Sequence, residues 1–398
     1  MAASLFGFLG GLIAARIIGP EETGLFKAFT IPLTYLTVLH LGTFDGLWRQ
    51  IPYYVGKKMP QKVEALASSA GAWNILVSII VSIGFIICAL YSLWHHDYYG
   101  VVGWITQAIC CWGTFYAGYL AATYRTIHQF EALARITLVR AIVNFGMVLV
   151  LPFLRFYGLC IRNASPFITG VWLLHRNRPL KVHYHFDAKT LIDLLKIGFP
   201  FSFWGTLYSS VWVATESALI LSFGGVTALG FFTVAIVLRD GICVLPNAIT
   251  QVLLPRAVEG FAQDGSVRNA NAKSAWLTVG LTAFMVLIVL VVSYSIDFLV
   301  PLAIPKYVDG IPLMNICLWF AVVQTASLPL NTLFATGRSW LYGRGVIVGF
   351  VVFALAAYLL TPTFGGVIAV AIGSLLGRTA RIIVAYLEIF MLIRREAL

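Results

Sequence analysis

Apolar stretches about 20 residues long recur from one end of this chain to the other, with only short connections between them. Each is long enough to cross ~30 Å of hydrocarbon as a helix. Backbone polar groups find no partners in lipid, so a spanning segment must satisfy them internally, as a helix or in a closed barrel. A barrel would alternate polar and apolar residues over segments of about 10 residues, whereas 79–93 and 276–292 are apolar on every side. Composition agrees: 60% of the 398 residues are hydrophobic and 11% charged, against roughly 25% charged in soluble domains. The fold expected is therefore all-α and polytopic.

Twelve spans are predicted, at about 2–18, 24–44, 66–93, 101–123, 136–154, 157–174, 197–222, 228–250, 274–295, 311–335, 345–361 and 365–391. They divide into two six-helix bundles, 1–185 and 186–398. No connection is large enough for a soluble domain, and no signal peptide with a small-residue cleavage site precedes the short first span.

The formal net charge is +11. With the N-terminus on the cytoplasmic side, eighteen lysines and arginines, among them Lys57, Lys58, Arg176, Arg178 and Lys181, fall on the inner side, and Arg16, Arg155 and Lys306 fall outside. That bias is the positive-inside pattern. It predicts a multi-pass protein of the cell (inner) membrane with both termini cytoplasmic, and it accounts for the charge without nucleic acid. The six cysteines lie within or at the ends of spans, form no C-x-x-C pair, and read as small buried apolar residues. His183 and His185 have no evident third ligand and read as loop residues. The sequon Asn163-Ala164-Ser165 falls inside a span.

A repeat organises the halves. Gly19-Pro20-Glu21-Glu22-Thr23-Gly24-Leu25-Phe26 joins spans one and two, and Gly225-Val226-Thr227-Ala228-Leu229-Gly230-Phe231-Phe232 joins spans seven and eight. Both read G-x-x-x-x-G-[LF]-F, at the same point of two six-span halves, which indicates duplication. Glycine permits a tight hairpin, and the acidic pair suits the N-terminus of span two. Between the halves, 186–196 places apolar residues at helical spacing and reads either as a helix on the inner leaflet or as a linker. Gly7-x-x-x-Gly11, Gly345-x-x-x-Gly349 and Gly373-x-x-x-Gly377 permit close helix contact, and Pro32, Pro166 and Pro200 are candidate kinks.

Residues 15–26, ARIIGPEETGLF, resemble the A-R-x-L-G-P-E-x-x-G-x-[FY] hairpin of the polysaccharide flippases in the multidrug, oligosaccharidyl-lipid and polysaccharide exporter superfamily. Residues 194–200, LLKIGFP, resemble the L-L-K-x-G-x-P that opens the second half of those proteins, and 229–235, 253–256 and 304–307 fit further patterns. The chain has Glu216 where that family more often has Asp, followed by Ser217 in place of a basic residue.

Charges placed deep in the spans carry the functional reading, because a charge near mid-bilayer costs about 2.5–3.5 kcal/mol on insertion scales. Lys27, Arg140, Arg162 and Glu388 lie near span ends, where snorkelling explains them. Arg239, Asp240, Arg378 and Arg381 lie near mid-span. Arg378 and Arg381 share a helix face. Arg239 and Asp240 diverge by roughly 100° and are not expected to neutralise each other, which leaves Glu216 as a partner for Arg239. One reading is internal pairing that fixes helix register. The other is a cationic cavity between the bundles, in which Arg239, Arg378 and Arg381, with Lys27 and Arg140, bind an anionic head group. Glu216 and Asp240 are the candidates for ion coupling.

Duplicated halves with midplane charges describe a secondary transporter and not an enzyme. The resemblance implies the cargo: a polyprenyl-diphosphate-linked oligosaccharide carried from inner to outer leaflet by alternating access, with membrane lipids and polysaccharide polymerase or export machinery as partners. No phosphate-binding G-x-x-x-x-G-K-[ST] is present, so no cofactor is implied, and energy comes from an H+ or Na+ gradient or from consumption of product outside. The rival readings are a multidrug or cation antiporter, or a peptidoglycan-precursor flippase, of the same superfamily, and more remotely a membrane-embedded glycan polymerase or ligase.

Overall fold

The computed structural model describes every residue except 1, 245, 250–266, 331–332, 334–337 and 397–398. The family-like residues Leu253, Leu254, Pro255 and Arg256 lie outside the described residues. Among the described residues the chain is helical throughout, with no strand, as backbone self-satisfaction in lipid demands. The helices are α1 (Ala2–Ile17), α2 (Pro20–Leu36), α3 (Thr43–Gly56), α4 (Pro60–Trp94), α5 (Tyr98–Thr114), α6 (Tyr116–Thr126), α7 (Phe130–Gly146), α8 (Leu151–Arg176), α9 (Ala188–Thr206), α10 (Trp212–Ile242), α11 (Val267–Ala303), α12 (Ile311–Ala326), α13 (Ser339–Phe364) and α14 (Gly366–Glu396).

Eight stretches of the described residues are long and apolar enough to cross a membrane. Two of them hold two expected spans each. Residues 130–176 turn at Arg155 (φ 46°), and 202–242 turn at Gly225 (φ 70°). The remaining expected spans are α1, which is 16 residues long, and the pair α5 and α6, interrupted at Phe115. The chain is thus a polytopic all-α membrane protein.

Its contacts divide it into two units: Ala3–Ala28 with Thr215–Leu398, and Phe29–Ala214. The boundary expected from the sequence lies at 185/186. In the first unit α1 packs on α10, where a Cβ on Gly11 would come within 2.8 Å of Val237 and one on Gly241 would overlap Phe8. The two hairpin repeats also meet there. A Cβ on Gly24 would overlap the Val226 carbonyl, and one on Gly230 would overlap the Pro20 carbonyl. The second glycine of each G-x-x-x-x-G is therefore the seat of the other hairpin. Glu21 and Glu22 occupy the first turn of α2, where the helix dipole favours negative charge. Lys306 donates to the Ile17 carbonyl (2.6 Å) and the Tyr307 hydroxyl meets that of Thr23 (2.8 Å), tying this hairpin to the segment before α12. Gly345 and Gly373 let α13 and α14 approach backbone to backbone.

In the second unit α3 crosses α9 at Gly42, whose φ of 82° and whose 2.6 Å approach to Gly198 by any added Cβ both exclude a side chain. The segment 186–196 is neither a separate surface helix nor a mere linker. Asp187 caps α9 by accepting from the amides of Lys189 and Thr190, and Leu191 and Leu194 are buried in one continuous helix. Ser68 pins the loop before it, donating to the His183 carbonyl and accepting from the His185 amide (2.7 Å). No group of three metal-ligating side chains occurs among the described residues. The cysteines are free, and all but Cys88, which is exposed, are buried.

Pro166 continues α8 and does not break it. Its missing N–H leaves the Arg162 carbonyl without its helical donor, and Asn144 of α7 supplies one through Nδ2 (3.2 Å). Arg162 returns the contact, Nη2 donating to Asn144 Oδ1 (3.2 Å).

Candidate functional site

Most of the deep charges gather in the unit formed by Ala3–Ala28 and Thr215–Leu398. Glu216 lies on α10 two turns before the Gly225 bend, with 1% of its side chain exposed. Ser374 and Arg378 stand one turn apart on the same face of α14. Arg378 Nη2 donates to both Glu216 oxygens, at 2.8 and 2.9 Å, and Nε donates to Ser374 Oγ at 3.2 Å. The Ser374 hydroxyl also donates to Glu216 Oε1. The result is a closed triangle of carboxylate, hydroxyl and guanidinium, each member bonded to the other two. Phe320 of α12 covers it, its ring centroid 5.0 Å from the guanidinium carbon, and Cys317, one turn earlier, is in electrostatic reach of Glu216, Arg239 and Arg378.

Arg381 is three residues further on and turns to a different neighbour. Its Nη1 donates to the Tyr342 hydroxyl of α13 (3.2 Å), and the guanidinium lies 5.6 Å over the Tyr342 ring. Arg378 and Arg381 are 4% and 2% exposed. Both are thus held inside this unit by a carboxylate, a hydroxyl and a phenol, and the expectation of guanidinium groups open to a watery chamber is corrected at these two positions.

Two pairings expected from the sequence are also corrected. Arg239 and Asp240 do neutralise each other, Nε donating to Asp240 Oδ1 at 2.9 Å, because the long arginine stem spans the angular gap between adjacent helical positions. Glu216 pairs with Arg378 and not with Arg239, because Ser374 and Arg378 together offer it three hydrogen bonds. Lys27, half-buried on α2, is in electrostatic reach of Asp240 and Glu216. The structure therefore brings together Lys27, Glu216, Arg239, Asp240 and Arg378.

Arg140 belongs to the other unit. Its Nε donates to the Pro166 carbonyl (2.9 Å), the guanidinium lies 5.7 Å over Phe167, and its stem occupies the space left by Gly170. Ser374, Phe320, Cys317 and Tyr342 were not singled out from the sequence. Only Ser374 carried a local signal, standing four residues before Arg378.

No protein-family model matches the chain, and no curated protein matches it. Solved structures do. One is an inward-facing multidrug resistance MATE family transporter of the MOP superfamily, with TM-score 0.77 at 15% identity over 99% of this chain and 95% of that one. An outward-facing multidrug resistance MATE transporter gives 0.67 at 15% identity over 99% and 92%. A mutant of the Vibrio cholerae MATE transporter VcmN gives 0.66 at 16% identity over 99% and 95%. The chain has the fold of these MATE transporters over nearly its full length.

Proposed function

We propose that this chain is a secondary transporter working by alternating access, with the Glu216–Ser374–Arg378 triangle as its ion-coupling element. The observation that carries the proposal is the burial of that ion pair, 1% and 5% exposed, in a protein whose fold is shared with transporters. A buried pair adds little stability over apolar residues of the same size, so its use lies in its response to protonation or to a cation. A proton or sodium ion reaching Glu216 cancels the charge that holds Arg378 and frees the guanidinium and Ser374 to take other partners. That switch between two arrangements is what coupling to a gradient requires.

Two cargo readings are each favoured by an observation. Multidrug transporters of the same fold favour export of small amphipathic molecules. Sequence resemblance favours an anionic amphiphile such as a lipid-linked oligosaccharide, since residues 194–200 and 229–235 fit patterns of the polysaccharide flippases. The hairpin motif of residues 15–26 favours the same cargo.

Proteoliposomes carrying an imposed proton or sodium gradient test both levels. Gradient-dependent efflux of a fluorescent organic cation supports the drug reading, and gradient-dependent flipping of a labelled polyprenyl-diphosphate glycan supports the other. Loss of gradient dependence in Glu216→Gln is expected with either cargo. Full gradient-driven flux in that variant would overturn the coupling role.

A further inference from the structure

A groove of about 840 Å³ runs along the Phe29–Ala214 unit, apart from the charged triangle. Its size is that of a ligand site, ~300–1,000 Å³. Ile86 of α4, Ile105 of α5, and Ile168 and Trp172 of α8 form its walls, and all four are exposed. The polar atoms along it are already engaged: Trp112 Nε1 donates to Ser82 Oγ (3.1 Å), which donates to the Ala108 carbonyl (2.9 Å). Nothing along the walls asks for a hydrogen bond, so a hydrocarbon chain can lie there without leaving a polar group stranded.

One end is different. His175 and Arg176, the last residues of α8, close the groove. His175 Nδ1 is bonded to the Tyr116 hydroxyl (2.6 Å), and the Arg176 guanidinium lies 5.4 Å over the Trp172 ring. No carboxylate pairs with Arg176 among the described residues. Arg178 and Lys181 follow within five residues, so this end is positive. On α8 the lining runs from Phe167 to Arg176, about 14 Å of helix, which matches the ~15 Å depth of one leaflet. An acyl chain of a bilayer lipid has that reach, while a long polyprenyl chain would extend well beyond it.

We propose that this groove holds an anionic phospholipid of the adjoining leaflet, with one acyl chain along Ile86, Ile105, Ile168 and Trp172 and the phosphate at Arg176 and His175. The site depends on residence in a membrane and on neither cargo reading. It is tested on the purified full chain in detergent by native mass spectrometry, titrating palmitoyl-oleoyl phosphatidylglycerol against phosphatidylcholine with the same acyl chains. The wild type retains phosphatidylglycerol preferentially, and added salt weakens the preference. Arg176→Gln lowers retention of phosphatidylglycerol by about fivefold and levels the two lipids. Ile168→Trp, on an exposed position, fills the groove and lowers both. Equal retention of the two lipids by the wild type overturns the proposal without reference to either variant. So does unchanged retention in both variants, or a polyprenyl phosphate displacing phosphatidylglycerol at equal concentration.

Discussion

The Glu216–Arg378 pair gives the sharpest test of how this protein uses buried charge. With side-chain exposures of 1% and 5%, neither partner is screened by solvent, and the discount that applies to surface pairs does not arise. Arg378→Ala removes the Nη2 hydrogen bonds to both Glu216 oxygens and the Nε donor to Ser374, taking the paired cation from a buried carboxylate. Removing one partner of such a pair costs about 3–5 kcal/mol, a factor of roughly 10²–10⁴ in the folding equilibrium. Glu216→Gln costs the same order by taking the compensating charge from the buried Arg378. The double variant Glu216→Leu with Arg378→Met replaces both charges by apolar volume, and its stability returns to within about 1 kcal/mol of the wild type or exceeds it. Unfolding in mixed micelles titrated with denaturing detergent measures all four proteins, and gradient-driven flux in liposomes is read alongside. The double variant is expected to be stable and uncoupled. Single variants as stable as the wild type would refute the energetic argument, and a double variant with full coupled flux would refute the functional one.

The Arg239–Asp240 pair offers the contrast, since Asp240 is 60% exposed. Arg239→Ala is expected to cost less than about 1 kcal/mol in the same unfolding assay, and a loss as large as that of Arg378→Ala would show that the two pairs do not differ as their burial implies. Gly24→Ala and Gly230→Ala each put a methyl into the opposite hairpin's backbone and are expected to cost about 3 kcal/mol; a monodisperse, wild-type-like unfolding profile for either would contradict the hairpin contact. Asp187 is a surface cap whose carboxyl is held below the ordinary carboxylate range by the Thr190 hydroxyl and then by the Lys189 and Thr190 amides. Because its folded pKa is depressed, its contribution is present above the unfolded value of about 4 and is lost as pH falls through the lowered value. The protection factors of the amides at residues 189 and 190, taken against the intrinsic exchange rate at each pH, should therefore fall on acidification. In Asp187→Ala they should be low even at neutral pH, and protection equal to the wild type in that variant would remove the cap from the account.

Span positions were legible in the sequence because the bilayer enforces a local rule: about 20 apolar residues in a row must hydrogen-bond among themselves. The hairpin glycines were legible as a repeat. Their reciprocal contact was not, since nothing in G-x-x-x-x-G says which hairpin its second glycine will meet. The turn at Arg155 was legible too, since the spans 136–154 and 157–174 were separated there, where Arg155 interrupts the apolar run.

By itself the sequence determined that this protein is a stack of membrane helices, because hydrocarbon leaves a backbone no other way to satisfy its polar groups. Only the tertiary structure decided which charges meet. Glu216 and Arg378 are 162 positions apart, and hydropathy reads Arg239 and Arg378 alike as mid-span charges. Depth in a span sets the cost of a charge, but its partner depends on how neighbouring helices are rotated, and that rotation follows from close packing at Gly11, Gly24, Gly230, Gly345 and Gly373. The same packing placed α1 with the second half of the chain, a choice that hydropathy, which is blind to neighbours, does not record.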